Sequence, residues 1–202
     1  MLFAQNYRQP LNTWTVPTLP NLLSGLRLAL VPALVWIAWT GHTTLYVVCL
    51  AFSLITDLID GFLARWLRQT TEFGAKMDSW ADFATTVSMP ICAWWLRPEV
   101  VRREALYVAL VLIAYAVPVA AGFLKYGRLT SYHTWAGKAA ALLIGPGVVL
   151  LLATELNQAF EFAALVVLLA GIEELAITAA LPQWRANVPS FRHALRLRRA
   201  RE

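Results

Sequence analysis

Apolar residues along this chain neither alternate nor scatter. They gather into six runs, at roughly 21–40, 44–66, 75–96, 104–124, 134–154 and 157–181, each near the ~20 residues a helix needs to cross bilayer hydrocarbon. Polar residues collect between the runs, in stretches such as "GHTT" and "RPEVVRRE". In lipid each segment must satisfy its own backbone hydrogen bonds, so the pattern predicts an all-α integral membrane protein with six transmembrane helices. One domain over 1–202 is expected, with 1–20 as an interfacial lead-in containing Trp14, Pro10, Pro17 and Pro20. Asn21 is the expected N-cap of the first helix, and Pro32 predicts a kink within it. The opening "MLFAQNYRQPLNTW" lacks the basic, then apolar, then small pattern of a cleaved leader, so the first run is expected to be retained. No internal repeat is evident.

Composition strengthens the membrane reading. The chain is 59% hydrophobic and only 14% charged, with nine tryptophans, and its mean hydropathy is +0.57. A soluble domain of this length carries more charge. The two cysteines, Cys49 and Cys92, fall inside apolar runs and are expected as buried thiols. The histidines are too scattered to define a metal site. The net charge of +5 is concentrated in a basic tail, 183–202, with Arg192, Arg196, Arg198, Arg199 and Arg201. With an even number of spans, that tail places both termini on the cytoplasmic side, together with the 67–73 and 125–133 connections. Arg97, Arg102 and Arg103 on the opposite side break the rule. The tail reads either as a solvated determinant of topology or as a contact to anionic lipid. No nucleic-acid partner is expected.

The acidic residues are distributed oddly. All four aspartates, Asp57, Asp60, Asp78 and Asp82, lie within 26 positions at the ends of two apolar runs. Asp57 and Asp60 are three apart, and Asp78 and Asp82 four apart, so each pair shares a helix face. The short connection predicts antiparallel neighbours, with both pairs at one depth near the cytoplasmic surface. A lone carboxylate in hydrocarbon costs about 3 kcal/mol, and four together also repel one another. A bound divalent cation answers both problems. Oxygen-only ligands select Mg²⁺, Mn²⁺ or Ca²⁺, and four carboxylates carry charge enough for two ions, a phosphoryl-transfer arrangement. Gly61 and Ala64 keep the helix surface low beside them, and Arg65 offers a planar fork to phosphate oxygens. The competing reading is a cation or proton transporter, which predicts acids at the bilayer midplane on broken helices.

Asp57-x-x-Asp60-Gly61-x-x-Ala64-Arg65, eight residues, then Gly74-x-x-x-Asp78-x-x-x-Asp82 resembles, without a gap, the signature of the CDP-alcohol phosphatidyltransferase family. The resemblance implies transfer of a phosphatidyl group from CDP-diacylglycerol to an alcohol, with release of CMP. It implies that Asp57, Asp60, Asp78 and Asp82 hold two Mg²⁺ or Mn²⁺ ions. It further implies that Gly61, Ala64, Arg65 and Gly74 line the CDP pocket, that Asp82 is the general base, and that the protein is a homodimer. The bacterial inner membrane, with the active site facing the cytoplasm, is the expected location.

The acceptor alcohol is less legible. "PNLLSGLRLALVP", with Arg27, and "TDLIDGFLAR" are similar to the branches that use glycerol 3-phosphate or form cardiolipin. "DSWADF" is closer to the phosphatidylserine-forming branch. Glycerol 3-phosphate is the first expectation; phosphatidylglycerol, serine and an inositol phosphate remain open. A phosphorylated acceptor needs cations near the metals, and Arg27, Lys125, Arg128, His133 and Lys138 are the candidates. For the last four the alternative is topology and headgroup contact; for Arg27 it is snorkelling to the interface or a contact to an active-site Asp.

Overall fold

The computed structural model describes residues 19–66, 72–127, 132, 134–154, 156–185 and 188–199; within its helices, the side chains of 19–21, 23–24, 60–66, 72–76, 78–79, 82 and 199 lie outside the described set. The described residues form helices α1 (Leu19–Trp39), α2 (Thr43–Trp66), α3 (Glu72–Leu96), α4 (Pro98–Arg103), α5 (Ala105–Tyr126), α6 (Trp135–Thr154), α7 (Asn157–Ala180) and α8 (Phe191–Arg199). The Asn21 side chain, and with it the expected cap, falls outside the described set. α1 begins two residues earlier and remains helical through Pro32. Pro90, Pro118 and Pro146 are likewise inside α3, α5 and α6. Membrane helices tolerate such prolines because neighbouring groups satisfy the freed carbonyls. α5 stops where Gly127, at φ 66°, takes the left-handed conformation and donates its N–H to Phe123 O at 2.8 Å.

The expectation of six spans is met only in part. α5, α6 and α7 are long and apolar enough to cross a membrane; α1, α2 and α3 contain the shorter apolar segments Gly25–Trp39, Thr43–Ile59 and Phe83–Leu96. These three bounds fall where the described side chains begin or end, at 25, 59 and 83, and so do not measure the full apolar length of α1, α2 and α3. At 1.5 Å per residue, α2 extends about 36 Å and α3 about 38 Å, longer than ~30 Å of hydrocarbon. Exposed Trp94 and Trp95 stand in the last turn of α3, as in an aromatic belt at an interface, and exposed Trp80 lies in its third turn.

α1 packs on α2 and α3, α6 on α2, and α7 on α5, α6 and α8. One core holds Leu34 of α1, Tyr46 and Leu50 of α2, Cys92 of α3, and Leu152 and Phe160 of α6 and α7. Cys92 is buried, as expected, and Cys49 half-buried. Lipid does not drive helices together by hydrophobicity, so close approach relies on small residues. A Cβ added at Gly145 would lie 2.8 Å from the Leu54 side chain, and one at Gly171 would lie 2.6 Å from the Ala114 carbonyl oxygen. The second obstacle is backbone and cannot swing away. Gly171→Ala is therefore expected to force α5 from α7 and cost about 1–3 kcal/mol, read as a lower unfolding temperature in detergent.

The connection between α3 and α5, expected as a loop, contains α4, opened by Pro98 at its first position. Its arginines are engaged locally: Arg97 pairs with Glu99 at 3.8 Å, Arg103 with Glu104 at 3.3 Å, and Arg102 lies 5.3 Å from the centre of the Trp94 ring. The basic tail also differs from a free solvated segment. Within it, α8 buries Ala194 against Tyr132, Ile177, Leu181 and Val188, leaving Arg192 and Arg196 exposed.

Candidate active site at one end of the bundle

The helices reverse direction in turn, so one end of the bundle gathers the start of α1, the end of α2, the start of α3, the end of α5, the start of α6 and the end of α7. All eight motif positions fall on helical backbone there, Asp57 to Arg65 on α2 and Gly74 to Asp82 on α3. α2 and α3 do meet away from the aspartates, where Tyr46 and Cys92 are hydrogen-bonded in the shared core. Among the described residues, each packs much more closely on α1 than on the other. Gly25 of α1 lies against Met77 of α3, one residue before Asp78; a Cβ there would be 3.1 Å from Met77 Cε, an end methyl that can shift.

Two residues on, α1 presents Arg27. Its side chain is 4% exposed, and it forms an ion pair with Asp57, whose side chain is 34% exposed. Thr56, also buried, returns its hydroxyl to the α2 backbone, donating to Ser53 O at 2.8 Å and Phe52 O at 3.0 Å. α1 thus packs on both aspartate-bearing helices, pairing with α2 through Arg27 and sharing one apolar core with α2 and α3. Of the four aspartates, Asp57 alone has its side chain among the described residues; those of Asp60, Asp78 and Asp82, and the side-chain surroundings of Gly61, Ala64, Arg65 and Gly74, lie outside them. Among the described residues no group of three or more His, Cys, Asp or Glu converges.

The donor set nevertheless fits divalent ions. Both helices continue unbroken through their aspartates, so the spacings of three and four residues do put each pair on one face. All the donors are carboxylate oxygens, the chemistry that hard divalent cations take. The Arg27 pairing adds a fixed orientation for Asp57, of the kind that outer partners supply to ligating carboxylates.

The other half of this end is a hydrogen-bonded brace. Lys125 Nζ donates to Thr178 O at 2.6 Å and to Ala179 O at 3.2 Å. Tyr126 donates its hydroxyl to Thr178 O at 2.9 Å and Leu181 O at 2.7 Å, and Tyr132 shares a 2.9 Å bond with the Thr178 hydroxyl. Two of the three donors of Lys125 are thus occupied by backbone carbonyls at the end of α7, so its first role is to join α5 to α7. Lys138 is exposed, 4.8 Å from the centre of the Trp135 ring. Arg128 and His133 lie outside the described residues. Glu173 accepts the Phe191 N–H at 3.0 Å, holding the first turn of α8 against α7. Sequence reasoning did not single out Thr178, Tyr126 or Tyr132. Their only trace there is the appearance of hydroxyl side chains where apolar runs end.

A sequence model of CDP-alcohol phosphatidyltransferase matches residues 17–171, and the chain belongs to that family. Among its relatives is a protein named putative cardiolipin synthase from Mycobacterium tuberculosis strain H37Rv, 37% identical over 99 residues, or 45% of this chain and 47% of the relative. A CDP-diacylglycerol–glycerol-3-phosphate 3-phosphatidyltransferase of Pectobacterium atrosepticum is 34% identical over 104 residues, 46% of this chain and 57% of the relative. A probable CMP-forming cardiolipin synthase of Drosophila melanogaster is 36% identical over 97 residues, 44% of this chain and 30% of the relative. The chain thus aligns with about half the length of the bacterial relatives and less of the insect one. No solved structure matches it. The family and the three apolar helices together mark a membrane protein.

Proposed function

We propose that this protein transfers a phosphatidyl group from CDP-diacylglycerol to glycerol 3-phosphate, forming phosphatidylglycerophosphate and CMP. The observation that carries the reading is the gapless eight-position motif on α2 and α3, inside the segment matched by the family. The enterobacterial relative's name supports the acceptor. The mycobacterial relative's name favours a second reading, with phosphatidylglycerol as acceptor and cardiolipin as product. The "DSWADF" segment keeps serine, and more distantly an inositol phosphate, as further acceptors to test.

In this reading Asp57, Asp60, Asp78 and Asp82 hold two Mg²⁺ or Mn²⁺ ions, and Arg27 keeps Asp57 in place. When bound, the ions neutralise the diphosphate and the departing CMP. Arg65 adds a fork of donors to the phosphate oxygens, while Gly61, Ala64 and Gly74 leave room for the nucleotide. Asp82 takes the proton from the acceptor hydroxyl. The new bond joins that oxygen to the lipid-side phosphorus; the bond from this phosphorus to the bridging oxygen breaks, and CMP leaves with the electron pair. Arg27, Arg128, His133 and Lys138 are the cations proposed to meet an acceptor phosphate. Lys125 has the weakest case among them, given its bonds to α7.

The proposed setting is a homodimer in the bacterial cytoplasmic membrane, crossed by α1, α2, α3, α5, α6 and α7, with the aspartates facing the cytoplasm. Local pairing of Arg97 and Arg103 supports that orientation by offsetting charge on the far side. Unbroken helices through the aspartates speak against the transporter alternative. The test is an acceptor panel on purified protein with CDP-diacylglycerol and Mn²⁺, reading CMP and identifying the product lipid by mass spectrometry. Equal amounts of CMP and phosphatidylglycerophosphate are expected. Phosphatidylglycerol as the productive acceptor would shift the assignment to cardiolipin formation, and no CMP with any acceptor would restore the transporter reading.

A further inference from the structure

The end of the bundle away from the aspartates carries a groove that phosphatidyl transfer leaves unused. Among the described residues, α3 and α5 are joined through α4 but make little direct backbone approach to each other. The space between them is an apolar cleft. Its inner chamber, about 240 Å³, is floored by Ile144, Leu151 and Phe160, and its wider mouth, about 660 Å³, lies between Ile91, Trp94, Ala105 and Ala109. Val87, Pro90, Val108 and Leu112 wall both, so the two are continuous.

Its length is informative. From Thr86 to Trp94 along α3 is about 12 Å, and from Ala105 to Tyr115 along α5 about 15 Å, at 1.5 Å per residue. Half of a ~30 Å hydrocarbon core is the same depth. The groove therefore matches one leaflet. Its open end lies at the level of Trp36, Trp39, Trp94 and Trp95, where an aromatic belt marks the interface. Arg102 stands at that mouth, exposed and against the Trp94 ring. The two acids of this connection, Glu99 and Glu104, pair with Arg97 and Arg103, so Arg102 supplies its surplus positive charge.

We propose that this groove binds one anionic phospholipid of the leaflet opposite the aspartates, with an acyl chain between α3 and α5 and its phosphate at Arg102. A guanidinium presents a planar fork to phosphate oxygens, and a zwitterionic headgroup would bring its ammonium to a connection whose surplus charge is already positive. A second copy of the chain is the competing occupant, and the oligomeric state of Val108→Trp decides between them.

The experiment is native mass spectrometry of the full chain, released from vesicles of mixed phosphatidylglycerol and phosphatidylethanolamine, with thermal unfolding measured in parallel. One retained phosphatidylglycerol per chain is expected, with retention falling about tenfold in both Arg102→Gln and the groove-filling Val108→Trp. Retention should persist when CDP-diacylglycerol and Mn²⁺ are added in excess, which separates this lipid from any held at the proposed active site. Arg102→Gln changes only an exposed side chain and so remains informative if Val108→Trp unfolds the protein. Equal retention of both lipids, or displacement by excess CDP-diacylglycerol with no effect of Arg102→Gln, overturns the proposal. So does conversion of dimer to monomer in Val108→Trp with lipid retention unchanged, which would assign the groove to a second copy.

Discussion

Asp82→Asn is expected to reduce phosphatidyl transfer by about 10²–10⁴-fold, the range that a positioned general base contributes. Asparagine keeps the shape of the side chain and one oxygen that can still face a cation, but it cannot accept the acceptor's proton. CDP-diacylglycerol binding should therefore survive in part while CMP release collapses. The measurements are the turnover number for CMP release and, separately, the equilibrium binding of CDP-diacylglycerol in Mn²⁺. If both fall by the same factor, Asp82 acts chiefly as a ligand and the base lies elsewhere.

Removing either partner of the Arg27–Asp57 pair should destabilise the protein, but unequally. Arg27 is 4% exposed and Asp57 34% exposed. Asp57→Asn takes this carboxylate from a guanidinium that water hardly reaches, and breaking a buried pair in that way costs about 3–5 kcal/mol. Arg27→Met leaves an apolar stem where the stem of Arg27 already packs, beside a carboxylate that water can reach, so the loss should be smaller. Thermal unfolding of both variants, each without divalent ions, gives the ranking. A larger loss in Arg27→Met would mean that Asp57 depends on the guanidinium more than its exposure implies.

The sequence showed most of the helical plan because the bilayer leaves a segment few choices. Apolar runs located α1, α2, α3, α5, α6 and α7 to within a few residues at their ends. Two pieces escaped that reading. α4 is a single short helix of mixed charge, and α8 alternates arginine with apolar residues over nine positions. Neither resembles a span, and each was read as a connection or a tail. The candidate site divides in the same way. Its carboxylates were visible because aspartate is otherwise absent from the chain, and fixed spacing on a helix says which of them share a face. The brace of Lys125, Tyr126, Tyr132 and Thr178 was not visible, since its bonds join residues 46 to 55 positions apart.

The amino-acid order by itself determined the number of apolar segments, the acidic motif and its family, because these depend on length, hydropathy and spacing along one chain. Which helix stands beside which was decided only in three dimensions. The short connection made α2 and α3 look like partners; they share a core, yet among the described residues α1 lies more closely against each than they do against one another. Gly25 of α1 faces Met77 of α3, and Arg27 has its counter-charge on α2. The α3/α5 groove likewise exists because α4 bridges those two helices while α6 and α7 close the floor beneath them. Such neighbours follow from close packing and charge pairing between distant segments, which no periodicity within a single segment encodes.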